Sequence, residues 1–314
     1  MSFPTVTATL APTSSLKRII AHYPLVAYFV LAFAGTWLTV LPVLLSRSGL
    51  GVLPFTFPFR PFQLLATFTG PTLAAVLITA ASDGRAGVSR LLRRYVQWRV
   101  GLRWYLLVLF GYVVVDLLAL TFAAPRSAVH AIVQGWPLIF TAYLPAVLTI
   151  QLVGPLGEEP GWRGFALPRL QDRYGAVRGS LVLGMLHSLW HLPAFFVIGG
   201  LGPFSVSGFV VFVLVGILNT ILWTWVFNNA QGSILIAILL HDASNASLAV
   251  LLPRLYPVVP PAAVAWVLGL YLVSTLLVVV CTKGRLAYRR NRQTQPADVA
   301  LAQPREMIPN PAGR

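Results

Sequence analysis

Long apolar stretches constrain the fold of this chain more than any other feature of its sequence. A helix crosses the hydrocarbon core of a bilayer with about 20 apolar residues, and stretches near that length recur about eight times. They lie at residues 23–45, 62–81, 104–124, 137–167, 179–198, 208–227, 234–252 and 262–281. Only 10% of the residues are charged, against about 25% in soluble globular proteins. The sequence therefore predicts an all-α, polytopic membrane helical bundle with about eight transmembrane helices.

The two ends of the chain differ from this apolar middle in composition. The first residues are rich in Thr, Ser and Pro, and the residues beyond Arg292 are rich in Gln, Pro and Ala. Segments of that kind bury too little apolar surface to offset the entropy of ordering them. We therefore predict a flexible N-terminal segment at 1–20, a transmembrane helical domain at 21–283 and a disordered cytoplasmic tail at 284–314.

The distribution of Lys and Arg predicts an orientation, because cytoplasmic loops of membrane proteins carry an excess of both. With eight spans and the N-terminus inside, 19 of the 23 basic residues fall on the cytoplasmic side. The exceptions are Arg47, Arg60, Arg126 and Arg254. We expect both termini in the cytoplasm and the bundle in a bacterial plasma membrane. The excess of basic residues on the cytoplasmic side then explains the net charge of +15. The expected partner is the lipid bilayer, and nucleic-acid binding is not required.

Ionisable side chains inside the predicted spans are candidate functional groups, since a charge at the bilayer centre costs at least about 2.5 kcal/mol. The chain has only 8 Asp and Glu, yet Glu158 and Glu159 stand side by side in the stretch LGEEPGWRGFALPRL. Pro160 disfavours a helical conformation at Glu159, so we expect a helix break there. Arg163 can orient one of the two carboxylates by a paired contact.

Three histidines and an amide add to this set. Residues four apart share a helix face, which pairs His187 with His191 and His241 with Asn245. At about 1.5 Å per residue, both pairs lie at a depth similar to that of Glu158. A lone intramembrane His is often a packing residue, but acids, histidines and an amide on three spans together indicate a site.

Two other residues have simpler interpretations. For Asp116, which has no evident partner in the sequence, we favour a structural or gating role over a catalytic one. The single cysteine, Cys281, excludes an internal disulfide and a metal–thiolate cluster, so any site must be built from His, Asp, Glu and Asn.

These motifs resemble those of the CAAX protease and bacteriocin-processing (CPBP, or Abi) family of intramembrane proteases, which includes the type II CAAX prenyl endopeptidases. The family's first motif, two Glu followed by three residues and Arg, is matched by Glu158, Glu159 and Arg163. The second, Phe followed by three residues and His, is matched at His191, but His187 stands in place of the Phe.

The third motif, His followed by three residues and Asn, is matched by His241 and Asn245. The longer patterns EExxWRG and WHLP are also present. The resemblance covers 137–252, which it identifies as the protease core, and the eight-helix core of the family agrees with the number of predicted spans.

The resemblance implies hydrolysis of a peptide bond in a membrane-associated peptide or protein, at a site open to the cytoplasm. By position in the motifs, Glu158 would activate the attacking water and His191 would share or direct the proton. His241 and Asn245 would stabilise the oxyanion. Substrates that fit include a prenylated C-terminal peptide, a bacteriocin precursor and a membrane-anchored regulator.

The same resemblance implies orienting roles for Glu159 and Arg163, whereas His187 is either a packing substitute or an additional polar group near the site. The family has been interpreted both as zinc-dependent and as a glutamate-type protease without metal. Two histidines, His191 and His241, with a Glu and a water would complete an open catalytic zinc site, so a metalloprotease is favoured.

Two non-proteolytic classes remain open at this stage. Broken helices and buried charges also mark the substrate pathways of transporters and channels, although the chain has no internal repeat. A membrane scaffold without catalytic activity would have the same fold.

Overall fold

The computed structural model describes residue 20 and residues 22–149 and 152–289. These residues form helices and no strand, which confirms the all-α membrane bundle. Thirteen α-helices, α1 to α13, follow one another in the described ranges: Pro24–Leu45, Phe59–Thr67, Leu73–Arg93, Leu102–Ala123, Pro125–Gly135, Leu144–Val147, Val153–Glu159, Leu167–Tyr174, Ala176–Trp190, Val206–Asn229, Ile234–Ala246, Leu252–Leu255 and Pro261–Cys281.

Shorter helical stretches of other types connect several of these helices. Four of them are wider, π-helical stretches, at Phe68–Thr72, Ile139–Tyr143, Pro160–Ala166 and Ser247–Leu251. Two are tighter, 3₁₀ stretches, at Arg94–Val96 and Leu192–Phe196. Each π-helical stretch either joins two α-helices or is followed directly by one. The chain therefore changes its helical pitch at these stretches and stays helical.

Six segments within the described ranges are long and apolar enough to cross a membrane. They are Pro24–Leu45, Phe59–Val96, Leu102–Ala123, Val206–Asn229, Ile234–Leu255 and Pro261–Cys281. The chain is thus an integral, multi-pass membrane protein. The six segments correspond to six of the predicted spans, and the predicted count of eight is not confirmed.

The other two predicted spans, 137–167 and 179–198, are helical but interrupted. The first is divided among α6, α7 and two π-helical stretches. The second contains α9, whose 15 residues rise only about 22 Å, less than the roughly 30 Å of the hydrocarbon core. It then tightens into the stretch Leu192–Phe196. Hydropathy does not register such interruptions, because the interrupted segments are as apolar as the continuous ones.

The predicted flexible segment at 1–20 lies almost wholly outside the described residues, and so does the predicted tail from residue 290 onward. Residues 284–289 of that predicted tail are described. Within them Leu286 is fully buried, against Ala176 and Ile221.

The π-helical stretch Pro160–Ala166 lies at the centre of the largest apolar cluster. Trp162 and Phe165 are fully buried there against Tyr28 of α1. A Cβ on Gly161 would lie 2.6 Å from the carbonyl oxygen of Pro71, so only glycine allows this close approach. The stretch after the two glutamates is therefore held rigidly by its neighbours.

Two further contacts fix the helices around this stretch. From the end of the second span, Arg94 donates from Nη1 to the carbonyl of Gly164 at 2.9 Å and from Nε to that of Gly232 at 2.8 Å. The long helix α10 packs along α9, where Ser180 donates to Thr224 at 2.7 Å. The elements that carry the motif residues, α7, α9 and α11, are thus tied to one another through their neighbours.

Candidate active site

Glu158 and His187 form the first contact of the site. Glu158 is the penultimate residue of α7, and His187 lies in the last turn of α9. His187 Nε2 is 3.0 Å from Glu158 Oε2, and the two residues are 9% and 6% exposed. The indole of Trp162 packs on the imidazole with ring centroids 4.9 Å apart. The residue that departs from the family motif therefore contacts the first glutamate directly.

His191 lies one turn further along, at the C-terminal end of α9. Its Nδ1 donates a hydrogen bond to the carbonyl oxygen of His187 at 2.9 Å. Because the acceptor is a carbonyl, Nδ1 carries the hydrogen and Nε2 keeps its lone pair. His191 and Glu158 both line a cavity of about 40 Å³ between α1, α2 and the end of α9. A cavity of that size has room for a water molecule.

Glu159 makes a separate set of contacts. Its Oε1 accepts from Arg163 Nη1 at 2.9 Å and from His241 Nδ1 at 2.7 Å. Glu159 is fully buried and Arg163 is 1% exposed. Arg163 also lies over the ring of Trp223, 4.6 Å from its centroid. The two adjacent acids therefore serve different partners, and Arg163 pairs with Glu159.

The expected helix break at Pro160 is replaced by a change of helix type. Glu159 keeps helical dihedral angles, with φ −64° and ψ −30°, and Pro160 begins the π-helical stretch. Proline interrupts the hydrogen bonding of a helix, and here the wider turn accommodates it. Such π-helical turns occur frequently at functional sites.

Asn245 follows His241 by one turn on α11 and is half-buried. No described side chain makes a hydrogen bond to its amide. Asp116 on α4 does have a partner, since Ser247 Oγ donates to its Oδ2 at 2.6 Å. That contact joins α4 to the stretch after α11, and both groups are buried, as expected of a structural role.

The structure thus gathers the motif residues from α7, α9 and α11 around His187. The ring centroid of His187 lies 5.1 Å from that of His191 and 6.1 Å from that of His241. For a metal ion, the sequence paired His191 with His241. In the part of the chain that the structure describes, the ligand atoms within 4.8 Å of one another belong to Glu158, His187 and His191, while His241 is held by Glu159.

The sequence analysis missed one residue of the site, Trp223, and left the role of a second, His187, undecided. Trp223 of α10 packs on Arg163 and on the ring of His241, with ring centroids 5.0 Å apart, and no local pattern marks it. His187 had a signal, its spacing of four from His191, but its contact with Glu158 lies across two helices.

Comparison with known proteins agrees with this arrangement. Residues 140–247 match the family described as type II CAAX prenyl endopeptidase Rce1-like. The chain is also similar to the CAAX prenyl protease 2 of Methanococcus maripaludis, 32% identical over 113 residues that cover 33% of this chain. The aligned region spans 40% of that protein's length. Residues 140–247 are therefore similar to the type II CAAX prenyl endopeptidase Rce1-like family, and the resemblance of this chain to the CPBP family of intramembrane proteases is confirmed.

Proposed function

We propose that the protein is an intramembrane endopeptidase that hydrolyses a peptide bond of a membrane-associated or prenylated-like peptide substrate. The observation that carries the proposal is the cavity of about 40 Å³ that Glu158 and His191 line together. A water molecule there would lie beside a carboxylate and an imidazole lone pair, the two groups that accept protons in enzymes most often. The match to an Rce1-like domain supports the same activity.

In the proposed reaction, Glu158 and His191 take the proton of the attacking water, which then adds to the carbonyl carbon of the scissile bond. The proton passes to the leaving amine when the carbon–nitrogen bond breaks. His187 holds the Glu158 carboxylate by the 3.0 Å contact. General acid–base catalysis of this kind contributes about 10²- to 10⁴-fold to a rate.

Negative charge that develops on the carbonyl oxygen requires donors, and we assign these to His241 and Asn245. Because His241 Nδ1 donates to Glu159, Nε2 becomes a donor when the ring carries its second proton. Glu159 balances that positive charge, and Arg163 in turn orients the Glu159 carboxylate. Glu159 and Arg163 are thus positioning residues, while the free amide of Asn245 supplies the second donor.

We place the protein in a bacterial plasma membrane with both termini in the cytoplasm, as the distribution of Lys and Arg supports. Reporter fusions after residues 17 and 292 test this orientation. Both reporters should show cytoplasmic activity. An extracytoplasmic reporter at either position would contradict the orientation without affecting the proposed chemistry.

The test of the activity compares the wild-type protein with Glu158→Gln in the native host, with mass spectrometry of cleaved peptides as the readout. Gln keeps the shape of the side chain and removes its basic carboxylate, so cleavage should fall by at least about 10²-fold. Asp83→Asn, the same chemical change at an acid paired only on the surface, should cleave normally.

Wild-type-like cleavage by Glu158→Gln would exclude Glu158 as the base. If wild-type cells and cells that lack the protein gave identical peptide profiles, the proteolytic function would be refuted, and a transporter or a non-catalytic scaffold would be favoured.

A further inference from the structure

The cavity that Glu158 and His191 line extends toward one face of the bundle. The loop 46–58 lies on that face, because it joins the end of α1 to the start of α2 and both belong to membrane-spanning segments. We call this side the loop face. The cavity is lined there by the second half of α1, by α2 and by the chain just after α9, with Thr36, Val40, Phe59, Gln63, Pro193 and Ala194 among the lining residues.

The site is closed off from the opposite side, the terminal face, where α1 begins. The largest apolar cluster lies there, and its members Tyr28, Phe165 and Leu183 are fully buried. On α1, Val40 at the cavity follows Tyr28 in the cluster by 12 residues, or about 18 Å. Side chains packed at the density of a protein interior leave no path for a peptide. The described residues thus block an approach to Glu158 from the terminal face.

Two other segments place the cluster and the cavity in the same order. Along α9, Leu183 lies in the cluster, His187 contacts Glu158 one turn later, and His191 reaches the cavity after one more turn. The second membrane-spanning segment runs in the opposite direction, so Gln63 at the cavity precedes Ile78 in the cluster. Three segments therefore agree that the cluster and the cavity lie on opposite sides of the catalytic groups.

The rim of the loop face carries exposed apolar side chains. Val52 and Phe55 in the loop and Ile198 after α9 are more than half exposed. The backbone N–H of Ile198 donates to the carbonyl of Ser48 at 2.6 Å, which joins the two parts of the rim. Exposed apolar patches mark surfaces that contact proteins or membranes. An apolar peptide held in the membrane fits this rim better than a charged, soluble one.

We propose that the substrate peptide enters from the loop face, between α1, α2 and the stretch Leu192–Phe196, as an apolar segment anchored in the adjoining leaflet. The inference rests on the proposed function, which supplies the substrate. A cavity of about 40 Å³ is smaller than a peptide, so these elements separate on entry. With both termini in the cytoplasm, the entrance faces away from the cytoplasm, whereas the family resemblance implies a site open to it.

The experiment attaches a bulky group to a single cysteine on each face. Cys281→Ser removes the one native thiol, and Gln63→Cys or Gln97→Cys is added to it in the full chain. Gln63 lines the cavity, and Gln97 follows the second span on the terminal face. A membrane-impermeant, charged methanethiosulfonate reagent modifies the thiol, and intact-mass measurement confirms the modification.

Modification of Gln63→Cys should slow cleavage at least about 10²-fold, as misplacing a substrate does, and dithiothreitol should restore the rate. Modified Gln97→Cys should cleave like its unmodified form. If Gln63→Cys elutes as aggregate, Thr36→Cys replaces it at the same cavity. Normal cleavage by the modified cavity variant would overturn the proposal.

The side from which each thiol reacts gives a second readout that does not depend on activity. Gln63→Cys should react in intact cells, and Gln97→Cys only after the cells are permeabilised. Reaction of both thiols from the same side would overturn the proposal. The reverse pattern would retain the entrance and contradict the cytoplasmic termini.

These outcomes separate the entrance from the proposed function. A wild type that cleaves peptides, with a modified Gln63→Cys that cleaves equally well, would refute the entrance and leave the proteolytic function intact. Thiols that react from opposite sides in a protein that cleaves nothing would retain the opening on the loop face and refute the proteolytic function.

Discussion

Replacing Glu159 by Gln tests the buried ion pair between Glu159 and Arg163. This pair positions His241, which we propose as one of the two oxyanion donors. Arg163 Nη1 lies 2.9 Å from Glu159 Oε1, and the two side chains are 1% and 0% exposed. Removing one partner of such a pair costs about 3–5 kcal/mol, because the other charge stays buried. The amide oxygen of Gln still accepts a hydrogen bond from Arg163, worth about 1–2 kcal/mol. We therefore expect the free energy of unfolding to fall by about 1–4 kcal/mol.

A double-mutant cycle isolates the pair from other effects of the substitutions. Unfolding is measured by circular dichroism in mixed micelles with increasing SDS for Glu159→Gln, Arg163→Gln and the double variant. The coupling free energy should be about 1–3 kcal/mol, as for residues in one buried network. Some of the Arg163 contribution is independent of Glu159, because its guanidinium also lies over Trp223, and the cycle subtracts that part.

The chain offers a matched control in Asp83 and Arg169. Their side chains are 3.1 Å apart but 38% and 29% exposed, and exposed pairs contribute about 0–1 kcal/mol. The cycle of Asp83→Asn and Arg169→Gln should therefore give a coupling below about 1 kcal/mol. A buried pair whose coupling does not exceed that of the surface pair would refute the reasoning.

Three further predictions concern single positions. Asn245→Ala should slow cleavage by about 10²- to 10³-fold, the effect of losing one oxyanion donor, with residual activity measurable in the same peptide assay; unchanged cleavage would remove Asn245 from the site. Cys281→Ser should retain full activity, since its thiol is exposed at the end of α13, and loss of cleavage in the folded variant would overturn the carboxylate-centred mechanism. Gly161→Ala should destabilise the bundle by about 1–3 kcal/mol, as overpacking does, because its Cβ would meet Pro71 and Tyr28. Gly269→Ala, where a Cβ meets nothing within 4 Å, should leave unfolding in SDS unchanged.

The all-α fold could be predicted because hydropathy reports directly on the length of apolar helices. It could not show where a helix stops being continuous. The predicted span 137–167 contains Pro145, Pro155 and Pro160, and the chain there is divided into short helices and π-helical stretches. These interruptions depend on how neighbouring elements satisfy and pack the backbone, and composition carries no record of that.

The candidate site, like the fold, was predictable only in part. The sequence identified Glu158, Glu159 and Arg163 because short-range spacing is visible in it. It could not decide which acid pairs with Arg163, since that depends on the helical pitch of the stretch between them. The contact between His187 and Glu158 joins residues 29 positions apart, and only the packing of α9 against the end of α7 brings them together.

The π-helical stretch Pro160–Ala166 has a consequence for engineering this protein. Each residue of an α-helix advances the chain by about 100° around its axis, so a wider turn acts as a change of angular phase between α7 and α8. Deleting one residue of the stretch would leave α8 nearly as long but would turn it by about 100°. The glutamates would keep their direction while the face of α8 that meets its neighbours would rotate away. Length variants in this stretch therefore alter angle rather than distance, and compensating substitutions belong on the partners of α8, not on the glutamates.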